Sequence, residues 1–282
     1  NNQELVGINM IYRIAIAFLT VAFVMPCCGA DSKLKLYVFD CGRLQFPTVE
    51  AFGIDNDETD VRELIVPCYI VEHKKGRLLW DGGLPSSVAK TDGWDENGQR
   101  LDKTLAEQIS SMGLDMKSFD FVAFSHMHFD HVGVANEVTG ATLLIQESEY
   151  KAAFADEVTV AYFDPALYKG LKSEKIRQLD GDYDVFGDGS VQIISAYGHT
   201  PGHQVLFLDL TDYGPLILSG DLYHFQISRR DRRVPQFNFD KEMTLQAMAK
   251  VEKLVKSKQS AFWIEHDLAA FKLLKKAPEF YD

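Results

Sequence analysis

At 282 residues, 46% apolar and 25% charged, the chain has an ordinary globular composition and ample length for one large core. Its net charge of -12 argues against a nucleic-acid partner, which more often meets a basic face. No internal repeat or low-complexity tract is present.

The first 30 residues read as an address rather than as fold. Arg13 precedes an uncharged apolar run over 14–25, and Cys28 and Ala30 supply small residues behind it. That order is a secretory signal cut after Ala30, which makes 31–282 the working domain of an exported chain, periplasmic or secreted. Met10 is read as the true start, with 1–9 upstream of it. The run is too short for a membrane span, so none is expected after cleavage. A lipoprotein acylated at Cys27 or Cys28 is the alternative, though Val24, Met25 and Pro26 make a poor attachment site. The mature chain keeps Cys41 and Cys68. An oxidising compartment would let them pair, but spacing alone fixes no bridge, and two separate buried thiols are the preferred reading.

From residue 34 the pattern is rich in strands. A strand over 34–40 places Leu34, Leu36 and Val38 on one face, and strands over 63–72 and 77–80 follow. The polar stretch 86–98, with Trp94, reads as a long loop, of the kind that serves as a lid or as a plain surface excursion. A helix is expected over 101–112, ending at Gly113. Short strands follow over 119–124 and 141–145. Strands over 191–196, 204–210 and 215–218 form a second group, with a turn at Asp212-Tyr213-Gly214. A helix over 241–256 carries Leu245, Met248, Val251, Leu254 and Val255 on one side. A strand over 261–264 leads into a short helical tail. Two strand groups, each followed by helix, suit two sheets packed face to face with helices outside.

The chemistry is concentrated in Ser125-His126-Met127-His128-Phe129-Asp130-His131, which puts three imidazoles and a carboxylate directly after a strand. Imidazole nitrogen and carboxylate oxygen are ligands that Zn²⁺ and similar ions take. Further candidates also follow strands: His199 in Gly198-His199-Thr200-Pro201-Gly202-His203, Asp221 in Ser219-Gly220-Asp221, and His266. Strand ends converge on one edge of a sandwich, where short loops place ligands rigidly. His203 reads as a residue that supports a ligand, and His73 as an exposed turn residue.

These residues resemble the metallo-β-lactamase superfamily of metal-dependent hydrolases. The resemblance rests on Trp80-Asp81-Gly82-Gly83, His126-x-His128-x-Asp130-His131, Gly198-His199, Gly220-Asp221 and His266, and it runs from about Leu34 to the C-terminus. Within the superfamily the N-acyl homoserine lactonases are most similar, through the runs around His126 and His199. The resemblance implies an αβ/βα four-layer sandwich and two divalent metal ions, with zinc preferred. It implies that His126, His128 and His199 hold one ion, that Asp130, His131 and His266 hold the other, and that Asp221 bridges them. Asp81 would orient a ligand histidine. A hydroxide between the ions would attack the carbonyl of a lactone or ester, with Asp130 as proton shuttle. Phosphotriesters, phosphodiesters and thioesters are the alternative substrates on the same ions, and a zinc-stabilised binding module is the non-catalytic alternative. The partner expected is a small-molecule lactone or ester; a homodimer is left open.

One departure concerns the substrate carbonyl. The lactonases carry a tyrosine three residues after the bridging aspartate. Here that position is His224, with Tyr223 one residue earlier. Both are kept as candidate catalytic donors. Phe46, Phe52, Trp94 and Phe225 are candidates for an acyl-chain groove. The run Arg229-Arg230-Asp231-Arg232-Arg233 reads as a solvated loop with internal pairing, or as a site for a substrate carboxylate or phosphate.

Overall fold

The computed structural model describes residues 34–282; the expected signal segment and Cys27 and Cys28 lie outside the described residues. Twelve strands and six α-helices alternate along them. The strands are β1 (Lys35–Gln45), β2 (Glu63–His73), β3 (Gly76–Trp80), β4 (Gln99–Arg100), β5 (Phe121–Ala123) and β6 (Thr142–Gln146), then β7 (Lys175–Leu179), β8 (Tyr183–Asp184), β9 (Val191–Ser195), β10 (Gln204–Leu210), β11 (Gly214–Leu218) and β12 (Ala261–Trp263). The helices are α1 (Leu105–Ser110), α2 (Glu147–Ala153), α3 (Pro165–Tyr168), α4 (Gln226–Asp231), α5 (Lys241–Lys258) and α6 (Leu268–Phe271). One sheet has the order β4-β1-β2-β3-β5-β6-β7 and the other β12-β11-β10-β9-β8.

Alternation along the strands makes the layers. In β1, Leu36 and Val38 enter a core shared with Leu206, Leu208, Leu216 and Leu218 of the second sheet, while Tyr37 and Phe39 face Leu105 and Ile109 of α1. On the far side, Val205, Phe207 and Ile217 pack against Ala247, Met248 and Val251 of α5. Helix, sheet, sheet, helix is the expected four-layer sandwich. Each fully buried leucine between the sheets stabilises it by roughly 1.5–3 kcal/mol.

Local chemistry moved several boundaries. The first helix begins at Leu105, not at 101, because Thr104 and Glu107 form a reciprocal capping box. The long helix begins as expected after Asp240, whose side chain accepts from Met243 N–H, and runs to Lys258, where Gln259 adopts a left-handed cap. The 86–98 stretch opens with a turn of 3-10 helix over Ser86–Lys90.

Two expectations are corrected. Cys41 and Cys68 are bonded, not separate thiols: they lie on the paired strands β1 and β2 with Cα atoms 5.7 Å apart. His73 is 9% exposed rather than free. The loop before β9 folds over the β2–β3 hairpin, so that His73 Nε2 meets Asp188 Oδ2 at 2.9 Å and its ring stacks on Phe186 at 4.2 Å.

Candidate metal centre

The strand ends do converge. His126 follows β5, His199 follows β9, Asp221 follows β11 and His266 follows β12. His126, His128, His199 and Asp221 form one buried group whose ligand atoms all lie within 4.8 Å of one another, and Asp130, His131 and His266 form a second. Asp221 stands between them. Its Oδ1 lies 3.0 Å from His266 Nε2 and 3.3 Å from His131 Nε2, and its Oδ2 lies 3.3 Å from His199 Nε2.

The hydrogen bonds behind the rings decide which nitrogens are free. His199 Nδ1 faces Asn238 Oδ1 at 2.9 Å and therefore carries the proton. Its Nε2 lone pair then points at His126 Nε2, 3.1 Å away, and His128 Nδ1, 3.2 Å away. His266 Nδ1 donates to Ile65 O at 2.6 Å, so its Nε2 lone pair faces the Asp221 carboxylate. His131 Nε2 and Asp221 Oδ1 are buried with no hydrogen-bond partner. Donor atoms converging in this way on a buried centre suit cations held between them. The donor set, imidazole with carboxylate, fits two divalent ions.

Electrostatics separate the two groups: burial opposes charge on His131 and His266, but the Asp221 and Asp130 carboxylates hold both above the ordinary imidazole range. Burial, then the neighbouring imidazoles, pushes His126 and His128 well below the ordinary imidazole range, which keeps their lone pairs available. Burial opposes ionisation of Asp221, but His266, His224 and His131 hold it well below the usual carboxylate range.

The sequence pattern of the metallo-beta-lactamase superfamily matches residues 61–260, most of the described chain and every proposed ligand except His266. The chain is a member of the metallo-beta-lactamase superfamily. Its similarity to characterised members covers nearly all of them. An N-acyl homoserine lactonase of Rhizobium radiobacter is 31% identical over 263 residues, 89% of this chain and 99% of that one. A second, of Bacillus thuringiensis, is 28% identical, covering 87% of this chain and 98% of its own. A solved N-acyl homoserine lactone hydrolase with N-hexanoyl-L-homoserine at its catalytic metal centre superposes with a TM-score of 0.74 at 25% identity, over 87% of this chain and 98% of that one. The chain is a metal-dependent hydrolase.

In this superfamily member the supporting residues are as specific as the ligands. Asp81 has φ 58, a left-handed backbone that L residues seldom take. That turn lets Oδ1 accept Ser125 N–H at 2.6 Å and brings Oδ2 within 3.3 Å of His131 Nδ1. His203 supports Asp221, as read from the sequence: its Nδ1 donates to Ala196 O, and its Nε2 accepts Asp221 N–H at 2.9 Å. Glycine is required at 220, where a Cβ would lie 2.8 Å from His203 Nε2 and 2.6 Å from Ser125 Cβ.

The adjacent donors separate. Tyr223 is extended, so it and His224 point to opposite sides. His224 lines the cavity above the ligands, with Nε2 3.0 Å from Asp221 Oδ2. Tyr223 does not serve the site. It packs with Ala247, Met248 and Phe262 on the α5 side.

That cavity, about 290 Å³, has Asp130, Asp221, His224 and His266 at its floor and Leu44, Phe46, Phe52, Phe129 and Phe237 in its walls. Phe46 and Phe52 are therefore where the sequence suggested. Phe225 stands behind, edge-on to Phe52, and Trp94 is not part of the lining. The arginine run is committed mostly to partners outside itself, and begins in α4 rather than in a loop: Arg229 pairs with Glu252 and Arg233 with Glu58, Arg232 donates to Leu245 O, and Arg230 with Asp231 is an internal pair of the expected kind. Asn238, Phe237 and Glu265 gave no signal in the sequence. Glu265 lies with Asp81 and His131 in a further buried group. Burial, then the Asp81 carboxylate, pushes it well above the ordinary carboxylate range.

Proposed function

We propose that this hydrolase opens the ring of N-acyl homoserine lactones on two zinc ions, one held by His126, His128 and His199, the other by Asp130, His131 and His266, with Asp221 between them. The observation that carries the reading is the apolar cavity placed directly over the ligand set. An acyl chain fits walls of phenylalanine and leucine, and a small polar ring fits the floor. Among the described residues lining that cavity there is no lysine or arginine, although a neighbouring cleft that shares His224 and His266 carries Arg62, Arg230 and Lys272. The similarity to lactonases over nearly their whole length supports the lactone reading.

Bound at this site, the ions supply Lewis acidity and lower the pKa of water toward neutrality. The protein does the rest. Asp130 lines the cavity floor, where its carboxylate can take the proton that the attacking water loses and pass it to the departing ring oxygen. His224 stands where the cavity meets Asp221; turning its Nε2–H from Asp221 Oδ2 to the carbonyl oxygen would stabilise charge as it develops there.

Proton release with a short-chain and a long-chain N-acyl homoserine lactone, on a sample whose metal content is measured, tests the reading. Metal-loaded protein that turns over neither sinks it. H224F should keep its metal and lose about 10²-fold in kcat, the scale of one donor to a developing oxyanion; an unchanged kcat would remove His224 from the chemistry. F52A should raise KM for the long-chain substrate by roughly 10-fold relative to the short one, from lost apolar contact. An equal change for both would place the acyl chain elsewhere.

We also infer export. A buried disulfide persists where the surroundings are oxidising, and Cys41–Cys68 is such a bridge. Alkylation of thiols at the moment of extraction should leave both cysteines unlabelled.

A further inference from the structure

The ligands come from four separate loops, and their meeting depends on what holds those loops in register. Glu149, in the first turn of α2, lies outside the ligand set and is 1% exposed. Its Oε1 accepts Met127 N–H at 2.9 Å, and its Oε2 accepts Gly202 N–H at 2.7 Å. Met127 is the residue between His126 and His128. Gly202 lies three residues past His199. One carboxylate therefore grips the backbones of both segments that carry the three-histidine half of the centre.

The approach is built to be close. A Cβ at position 202 would lie 2.6 Å from both Glu149 Cβ and Glu149 N, so only glycine admits the contact. Burial pushes the Glu149 carboxyl up to about 7, against the pull of the Thr200 hydroxyl and of the two N–H groups it accepts. A carboxylate is thus costly here, and a neutral apolar residue would pack without that cost but would leave two buried N–H groups unpaired.

We propose that Glu149 is a positioning residue for the ion held by His126, His128 and His199: by fixing the spacing of the two loops it governs how firmly that ion is retained. The second ion depends on it less, because neither bond of Glu149 reaches the His266 segment, whose ring is set by Ile65 O, and the His131 ring is set by Ser125 Oγ, which also faces His126 Nδ1. The inference rests on the two-ion reading but is independent of the lactone substrate.

The test is E149Q. The amide keeps one acceptor and turns an NH₂ toward a backbone N–H that needs one. Zinc content is followed for wild type and variant during dialysis against increasing chelator, with the cobalt-substituted protein followed by absorption. Wild type should retain about two ions per chain. E149Q should release one of them at about 10–100-fold lower chelator concentration, as outer residues of metal sites typically do. The second ion should stay, and the cobalt bands of the nitrogen-rich position should disappear first. E149D keeps the charge but is too short to reach both N–H groups, so it should follow the same order; it replaces E149Q if the amide prevents folding. Simultaneous loss of both ions, or retention equal to wild type, would overturn the inference alone. Wild type that holds no metal would sink the two-ion reading and this inference with it.

Discussion

Asp221→Ala is expected to end turnover and to leave the chain unable to keep both ions. The side chain is 3% exposed. One oxygen serves His131 and His266, and the other faces His199 and His224. No neighbouring side chain can take over that span, because Asp130 approaches only from the His131 and His266 side. Removing one partner from a buried charge arrangement costs about 3–5 kcal/mol. At about 1.4 kcal/mol per tenfold, that is roughly 10²–10⁴-fold in affinity or rate. Metal analysis after gel filtration, with turnover on the same fractions, checks both parts. A variant that holds two ions and works within tenfold of wild type would show that Asp221 bridges nothing.

Asp81→Asn is expected to act at one remove. Asp81 is wholly buried and touches no part of the cavity lining. Its Oδ2 lies 3.3 Å from His131 Nδ1, beside the Ser125 Oγ that bonds that nitrogen at 3.1 Å, and so helps aim Nε2 at the ligand set. Asparagine preserves the bond to Ser125 N–H but can place an amide NH₂ against the His131 Nδ1–H. Metal affinity should fall by about 10–100-fold. Activity should recover when zinc is supplied in excess, with KM unchanged. A fall in kcat that added metal does not relieve would mean that Asp81 enters the reaction itself.

The ligand set was legible because its members stand next to recognisable strands. His126, His128, Asp130 and His131 occupy a single short loop after β5, and His199, Asp221 and His266 each lie within four residues of a strand end. A strand end is a fixed point of the fold, so its loop inherits a fixed place. The groups that support those ligands were less legible. Glu149 and Asn238 act through one or two hydrogen bonds reached from distant positions, and nothing in their own neighbourhoods marks them. The Tyr223–His224 choice turned on which way one extended residue faces. The edge strand β7, with Lys175, Arg177 and Gln178 exposed, carries charge in place of apolar alternation, which is how edges avoid pairing with other chains.

The Cys41–Cys68 bridge divides the chain into two kinds of sequence. Phe46, Phe52 and Leu64, which wall the cavity, all lie between the two cysteines, whereas every proposed ligand lies at His126 or beyond. That part of the wall is a closed ring of chain hung from two paired strands, and Phe129 and Phe237 complete the wall from outside it. Changes in this ring reach the loops that gather the ions through two contacts, Phe52 against His224 and Ile65 O against His266 Nδ1. Selection can then vary what the enzyme accepts within a bounded segment, 44–64, that stops short of Ile65 and its bond to His266.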